Sequence, residues 1–318
     1  MDFELAFTDI LLVIAKLFLL MGIGYVLRLK KLVDDDFIDT LSLLIVRVVF
    51  PALIISRTIR NFSFTEYANW WFFPVSALIF IFLGLAVSSL LYKALELRQS
   101  PREFRCACAF QNCGYLPLNM ILFSFTGAVA ERFFIYIFLY ILGFNILMWS
   151  LVPLYLEGRL RSNFRMKVFL NPPVVATAVS LLWVALLGKG TLPGVISEPL
   201  TQLGNSSFPL VMLTLGAYLC RYRAFRPERA KDLFTGVAVR LLIIPAIVLV
   251  FLYFTGLSPD KKFFLFLQSM MPTAVSLVVI GAYSGADNRF MSGMIFYTHM
   301  IALVTVPVWL GIFSHVID

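Results

Sequence analysis

Ten apolar stretches, parted by charged or turn-rich joints, constrain this chain more than any other feature of its sequence. They lie near 8–27, 38–57, 70–92, 104–125, 132–154, 170–188, 199–219, 234–255, 262–283 and 291–314. Each suits a helix crossing a bilayer, which takes about 20 apolar residues for ~30 Å of hydrocarbon. In lipid every backbone N–H and C=O must find a partner, so such stretches become helices. Composition agrees: the 318 residues are 60% hydrophobic and 14% charged, with a mean hydropathy of +0.90. A soluble domain carries about 25% charged residues. The expected fold class is an all-α polytopic membrane protein with ten transmembrane helices.

Charge placement sets the expected orientation. Seventeen Lys and Arg fall in the joints after stretches 1, 3, 5, 7 and 9, against six in the others. Basic loops stay in the cytoplasm, so both termini are expected outside, in a plasma (inner) membrane. The opening Met1-Asp2-Phe3-Glu4 lacks the basic start of a cleaved signal, so the first stretch is read as a retained span. The net charge of +8 is then a topology signal rather than a nucleic-acid footprint. Its basic loops can also meet anionic lipid.

The fourth stretch is wrong for a plain helix. It reads Cys106-Ala-Cys-Ala-Phe-Gln111-Asn112-Cys-Gly114-Tyr-Leu-Pro117-Leu-Asn119, with polar groups, a flexible Gly and a Pro at its centre. The ninth repeats the flaw as Gln268-Ser-Met-Met-Pro272-Thr273-Ala-Val-Ser276. Prolines also correspond elsewhere: Pro51 with Pro209, Pro117 with Pro272 and Pro153 with Pro307, at offsets of 158, 155 and 154 residues. Near-constant offsets suggest two five-helix repeats. Because five is odd, the second repeat is inverted, the plan of secondary transporters whose broken helices hold the substrate. The halves would be 1–155 and 168–318, with a cytoplasmic linker at 156–167.

Broken helices present free N–H groups and a positive dipole end at the break. Pro117 and Pro272 suit the first turn of each second half-helix. Gly114, with Asn112, Asn119, Gln268, Thr273 and Ser276 as donors, completes an expected anion-binding centre. Arg47, four residues before Pro51, is expected to grip a carboxylate, with Asn205 as its neutral counterpart before Pro209. Lys16 offers a second positive charge, which favours a dicarboxylate. Arg240 is placed close to a helix end and is expected to snorkel to the interface. No Asp or Glu falls mid-span, so the expected partner is a small organic anion.

Several landmarks resemble the auxin efflux carrier family, which includes the PIN-type carriers. They are Pro51-Ala-Leu, Asn112-Cys-Gly114-Tyr-Leu-Pro117, Leu213-Thr-Leu-Gly216-Ala, Met271-Pro272-Thr-Ala, and Gly281-Ala-Tyr-Ser-Gly-Ala-Asp287 through Pro307. The resemblance covers essentially the whole chain, in order. It departs at Leu116, where a second Gly is frequent, and at Arg47, where a neutral residue is expected. It implies crossing broken helices 4 and 9, and a scaffold of helices 1, 2, 6 and 7 that often forms a homodimer. Helices 3–5 and 8–10 would form a domain that moves like an elevator, carrying organic anions such as auxin or dicarboxylates.

Catalysis has little to work with: two histidines and no nucleophile elbow. Cys106, Cys108, Cys113 and Cys220 read as small packing residues on the reducing side. No cofactor is expected. Coupling stays open among Na+ held by carbonyls and amides, H+ at His299 or Lys16, and uniport. A non-transporting anion sensor and an anion channel stand as the other readings.

Overall fold

The computed structural model describes residues 7–98, 100–158, 172–222, 230–284, 286 and 288–317. Its helices fall on the apolar stretches. In order they are α1 (Phe7–Leu29), α2 (Asp35–Leu44), α3 (Phe50–Asn61), α4 (Phe72–Ala94), α5 (Pro101–Ala109), α6 (Tyr115–Ser124), α7 (Gly127–Glu157) and α8 (Pro172–Leu187). The second half has α9 (Gly194–Asn205), α10 (Ser207–Tyr222), α11 (Ala230–Ala238), α12 (Ile244–Tyr253), α13 (Pro259–Ser269), α14 (Ser276–Ser284) and α15 (Asn288–Ile317). Among the described residues, six continuous helical stretches are long and apolar enough to cross a membrane: Asp35–Asn61, Phe72–Ala94, Gly127–Glu157, Gly194–Arg221, Ala230–Tyr253 and Arg289–Val316. Most of the linker expected at 156–167 lies outside the described residues, as do Arg223, Arg226, Arg229 and both chain ends.

Two of these stretches widen into π-helix just before a proline, at Ile45–Val49 and Val239–Ile243. The cause is local. Pro51 and Pro245 have no N–H to offer the carbonyl four residues back, and their rings crowd it. The helix accommodates this with i→i−5 bonds, Phe50 N–H to Ile45 O and Ile244 N–H to Val239 O. Leu241, four residues before Pro245, finds a replacement donor in the indole of Trp309, at 2.7 Å. Arg47 and Arg240 both ride on these widened turns.

Glycine brings α1 against α10. A Cβ on Gly216 would lie 1.8 Å from the Met21 carbonyl oxygen, and one on Gly24 would lie 2.0 Å from that of Leu213. Without side chains there, the two backbones touch, which lipid-embedded helices use in place of a hydrophobic drive. A second packed unit forms where aromatic rings of α4, α7 and α13 interlock. Phe73 stacks on Tyr136 at 4.1 Å, and Phe264 meets Phe73, Tyr136 and Tyr140 edge-on at 5.4 to 5.7 Å.

Both flawed stretches are broken, as expected. α5 stops at Ala109 and α6 starts at Tyr115; α13 stops at Ser269 and α14 starts at Ser276. Pro117 sits in the first turn of α6. Pro272 corrects the expectation, since it lies in the unwound segment, four residues before α14 begins. Its segment is held extended by pairing with the other break, a long-range contact that local helix rules do not contain.

Candidate functional site

The two breaks meet. Gln111 and Thr273 form an antiparallel β-bridge, with Asn112 N–H donating to Pro272 O at 2.7 Å and Ala274 N–H donating to Phe110 O at 2.9 Å. Unwound backbone far from water needs such partners, and each break supplies them to the other. Thr273 strengthens the crossing through its hydroxyl, which donates to Ala107 O at 2.9 Å, while its own N–H reaches Thr298 Oγ1 at 3.2 Å.

On one side of this crossing lie the N-terminal ends of α6 and α14. Asn112 caps the first: Tyr115 N–H donates to its Oδ1 at 3.1 Å. Its Nδ2 stands 3.3 Å from His299 Nε2, and His299 Nδ1 stands 2.8 Å from Ile295 O. A carbonyl only accepts, so Nδ1 carries the imidazole proton and Nε2 accepts from Asn112. The chain Tyr115–Asn112–His299–Ile295 is thus satisfied throughout with a neutral imidazole. A second proton on His299 would set two donors against each other. His299 therefore positions Asn112.

A cavity of about 100 Å³ opens at these helix starts. Its polar lining includes Gln111, Asn112, Gly114, Asn145 and Ser276; its apolar walls include Phe50, Phe138, Ile141, Phe144 and Trp149. Gly114 keeps the wall low, since a Cβ there would sit 3.2 Å from Ile141 Cδ1. Phe50 of α3 stacks on Tyr115 of α6 at 5.2 Å and closes one side. Gln111 is fully buried and pairs with Tyr140 Oη at 2.6 Å, leaving Oε1 without a partner among the described residues. A phenol can donate as well as accept, so the amide keeps that bond in either orientation. Turned over, Gln111 offers an N–H to the cavity.

A larger cavity of about 500 Å³ adjoins the first. They share Val46, Tyr115, Trp149, Val275 and Ser276. It runs toward Asp39, Tyr218 and Arg221, where Arg221 Nη1 donates to both Asp39 oxygens at 3.0 and 3.2 Å and Tyr218 Oη adds a third bond at 3.1 Å. A second polar cluster lies nearer the C-terminal end of α3. Arg57 on α3 pairs with Glu131 on α7, Asn61 Nδ2 donates to the other Glu131 oxygen at 2.8 Å, and Arg57 Nη2 donates to Asn205 Oδ1 at 3.1 Å.

The expected site residues divide accordingly. Asn112, Gly114 and Ser276 line the inner cavity. Thr273 and Pro272 build the crossing behind it. Gln268 is fully buried and donates to Cys113 O at 3.1 Å; Asn119 is fully buried and donates to Tyr115 O at 2.7 Å. Both brace backbone, and each leaves its amide oxygen without a partner among the described residues. Asn205 is exposed and serves Arg57. Lys16 is exposed, its ammonium 5.5 Å from the Phe123 ring. Arg47 is exposed and lines neither cavity. The structure brings neither cation to the crossing.

Arg240 overturns the expectation of a snorkelling side chain. It is 1% exposed, ten residues into the helical stretch that starts at Ala230. Its Nε donates to Met271 O at 2.9 Å, Nη1 to Cys108 O at 3.2 Å, and Nη2 to Ser269 O. Sequence distance from a helix end measured reach and not facing. An Arg ahead of a proline is no signal by itself, since Arg47 ahead of Pro51 has the same setting and is exposed.

Comparison with known proteins gives the family. The profile of the family described as "Membrane transport protein" matches residues 9–163 and 159–310. A protein of Methanothermobacter thermautotrophicus described as an uncharacterized transporter is 25% identical over 300 residues, covering 90% of this chain and 93% of its own. Protein PIN-LIKES 1 of Arabidopsis thaliana is 23% identical over 368 residues, 93% of this chain and 77% of its own length. Protein PIN-LIKES 2 of the same plant is 26% identical over 46% of this chain and 35% of its own. This chain belongs to the membrane transport protein family of auxin efflux carriers.

Proposed function

We propose that this protein is a secondary transporter for a small organic anion, bound in the cavity at the N-terminal ends of α6 and α14. One observation carries the reading. Two half-helices start at a single cavity, and each start brings about half a positive charge. Asn112, Ser276 and a reoriented Gln111 add neutral donors. The rest of the wall is aromatic and aliphatic, which suits a carboxylate on a compact apolar body. Since Lys16 and Arg47 lie elsewhere, a monocarboxylate fits better than a dicarboxylate.

The same reading takes the chain as ten spans in two inverted five-helix repeats. α1, α2–α3, α8 and α9–α10 act as scaffold, and α4–α7 with α11–α15 act as the moving body. The wide cavity then reaches the cytoplasm past Asp39 and Arg221, and the Arg57–Glu131 cluster seals the outer face. This is an inward-open arrangement, and an elevator stroke would carry the crossing outward.

The test is thermal stabilisation of the purified protein by a panel of mono- and dicarboxylates. A ligand at 100 times its Kd adds about 2.7 kcal/mol to the folded state. The expected result is a rise in Tm with monocarboxylates that Asn112→Asp removes. A panel with no effect on Tm would overturn the reading.

A further inference from the structure

The buried guanidinium of Arg240 lies among the C-terminal ends of α5 and α13 and lines neither cavity. Those ends have carbonyls that no helical N–H can reach. On α5, Thr273 Oγ1 takes Ala107 O and Arg240 takes Cys108 O. On α13, Arg240 takes Ser269 O and then Met271 O just beyond the helix. One planar fork therefore ties both half-helix ends together. A lysine, with one ammonium, cannot match that geometry.

Charge gives the arrangement its meaning. Each helix C-terminus carries about half a negative charge, so two converging ends amount to roughly one. A single fixed guanidinium offsets it. What remains uncompensated is the positive pair of N-terminal ends facing the cavity. Without Arg240, the carbonyl ends would form an oxygen-lined, electron-rich spot of the kind that draws a monovalent cation.

We propose that Arg240 is the built-in cation of the crossing: it sets the preference for anions and takes the place that a coupling Na+ would otherwise fill. The inference rests on the anion-carrier reading for its functional half and on geometry alone for its structural half. Arg240 is a positioning residue, because it lines neither cavity.

Three measurements on the full chain separate the two halves. First, wild-type Tm and carboxylate uptake should be the same in Na+ and in choline; stabilisation or stimulation by Na+ overturns the proposal. Second, Arg240→Ala should regain Tm with millimolar methylguanidinium, a probe for the vacated fork, while wild type should not respond. Equal response of both proteins, or none in the variant, overturns it without touching the carrier reading. Third, Arg240→Gln keeps amide donors without charge, and Arg240→Lys keeps charge with poorer donors. The expected result is a loss of about tenfold or more in affinity for indole-3-acetate over its uncharged amide in the glutamine variant, with the preference kept in the lysine variant. That is the size of effect expected from one fixed charge in a low-dielectric interior. An unchanged preference in Arg240→Gln overturns the charge role. Should neither variant fold, the sodium comparison on wild type still decides. Should wild type bind no carboxylate at all, the carrier reading fails while the methylguanidinium result stands by itself.

Discussion

Replacing Glu131 with glutamine tests whether the Arg57–Glu131 pair acts as a latch. Arg57 and Glu131 pair between α3 and α7, their side chains 22% and 24% exposed. Glutamine is nearly isosteric and can still accept from Asn61 through its amide oxygen. What it loses is the charge opposite Arg57, which retains Asn205 as its other partner. Breaking a fully buried pair costs 3–5 kcal/mol, and an exposed pair is worth under about 1 kcal/mol. For a pair mostly buried but in contact with solvent, about 1–2 kcal/mol is reasonable, a factor of 5–30 in a two-state ratio. That factor should appear as a shift toward the outward-open state. The assay is labelling of Ile54→Cys, whose parent side chain is 2% exposed and lies one turn before Arg57, by a membrane-impermeant maleimide added outside. Glu131→Gln should speed labelling about 5–30 fold. A change below twofold would refute the latch.

Three further variants probe other parts of the account. Asn112→Asp keeps an oxygen to cap Tyr115 N–H but puts a negative charge at the helix starts. It should abolish carboxylate binding with a Tm loss equivalent to about 1 kcal/mol, read by thermal shift with and without ligand. Gly216→Ala drives a methyl into the Met21 carbonyl, so α1 and α10 must separate; a loss of about 1–3 kcal/mol is expected, measured as Tm in detergent. Arg47→Ala should leave uptake within about twofold of wild type, because the side chain is exposed and outside both cavities.

Much of the architecture is legible in the sequence, for a physical reason. Hydropathy places helices because lipid admits few alternatives, and Gly114, Pro117 and Pro272 mark both breaks because neither residue type continues a helix comfortably. What fails is facing. Position along a span does not say which way a lone Arg points, so Arg47 reads as a site residue and Arg240 as peripheral, when Arg47 is exposed and Arg240 is buried. Long-range pairing fails likewise. Nothing local to Pro272 announces that its carbonyl will accept from Asn112, and nothing near Glu131 announces Arg57. Each flawed stretch carries one glutamine, yet Gln111 lies in the unwound segment and lines the cavity, while Gln268 sits in the last turn of α13 and braces Cys113.

The central claim is that an anion is carried through the space where α6 and α14 begin. Counterflow in proteoliposomes addresses it directly: vesicles loaded with unlabelled indole-3-acetate, radiolabelled indole-3-acetate outside, wild type beside Asn112→Asp. The account predicts saturable uptake accelerated by the internal anion in wild type and abolished in the variant. Uptake that neither saturates nor responds to internal anion, or that survives Asn112→Asp intact, would contradict it.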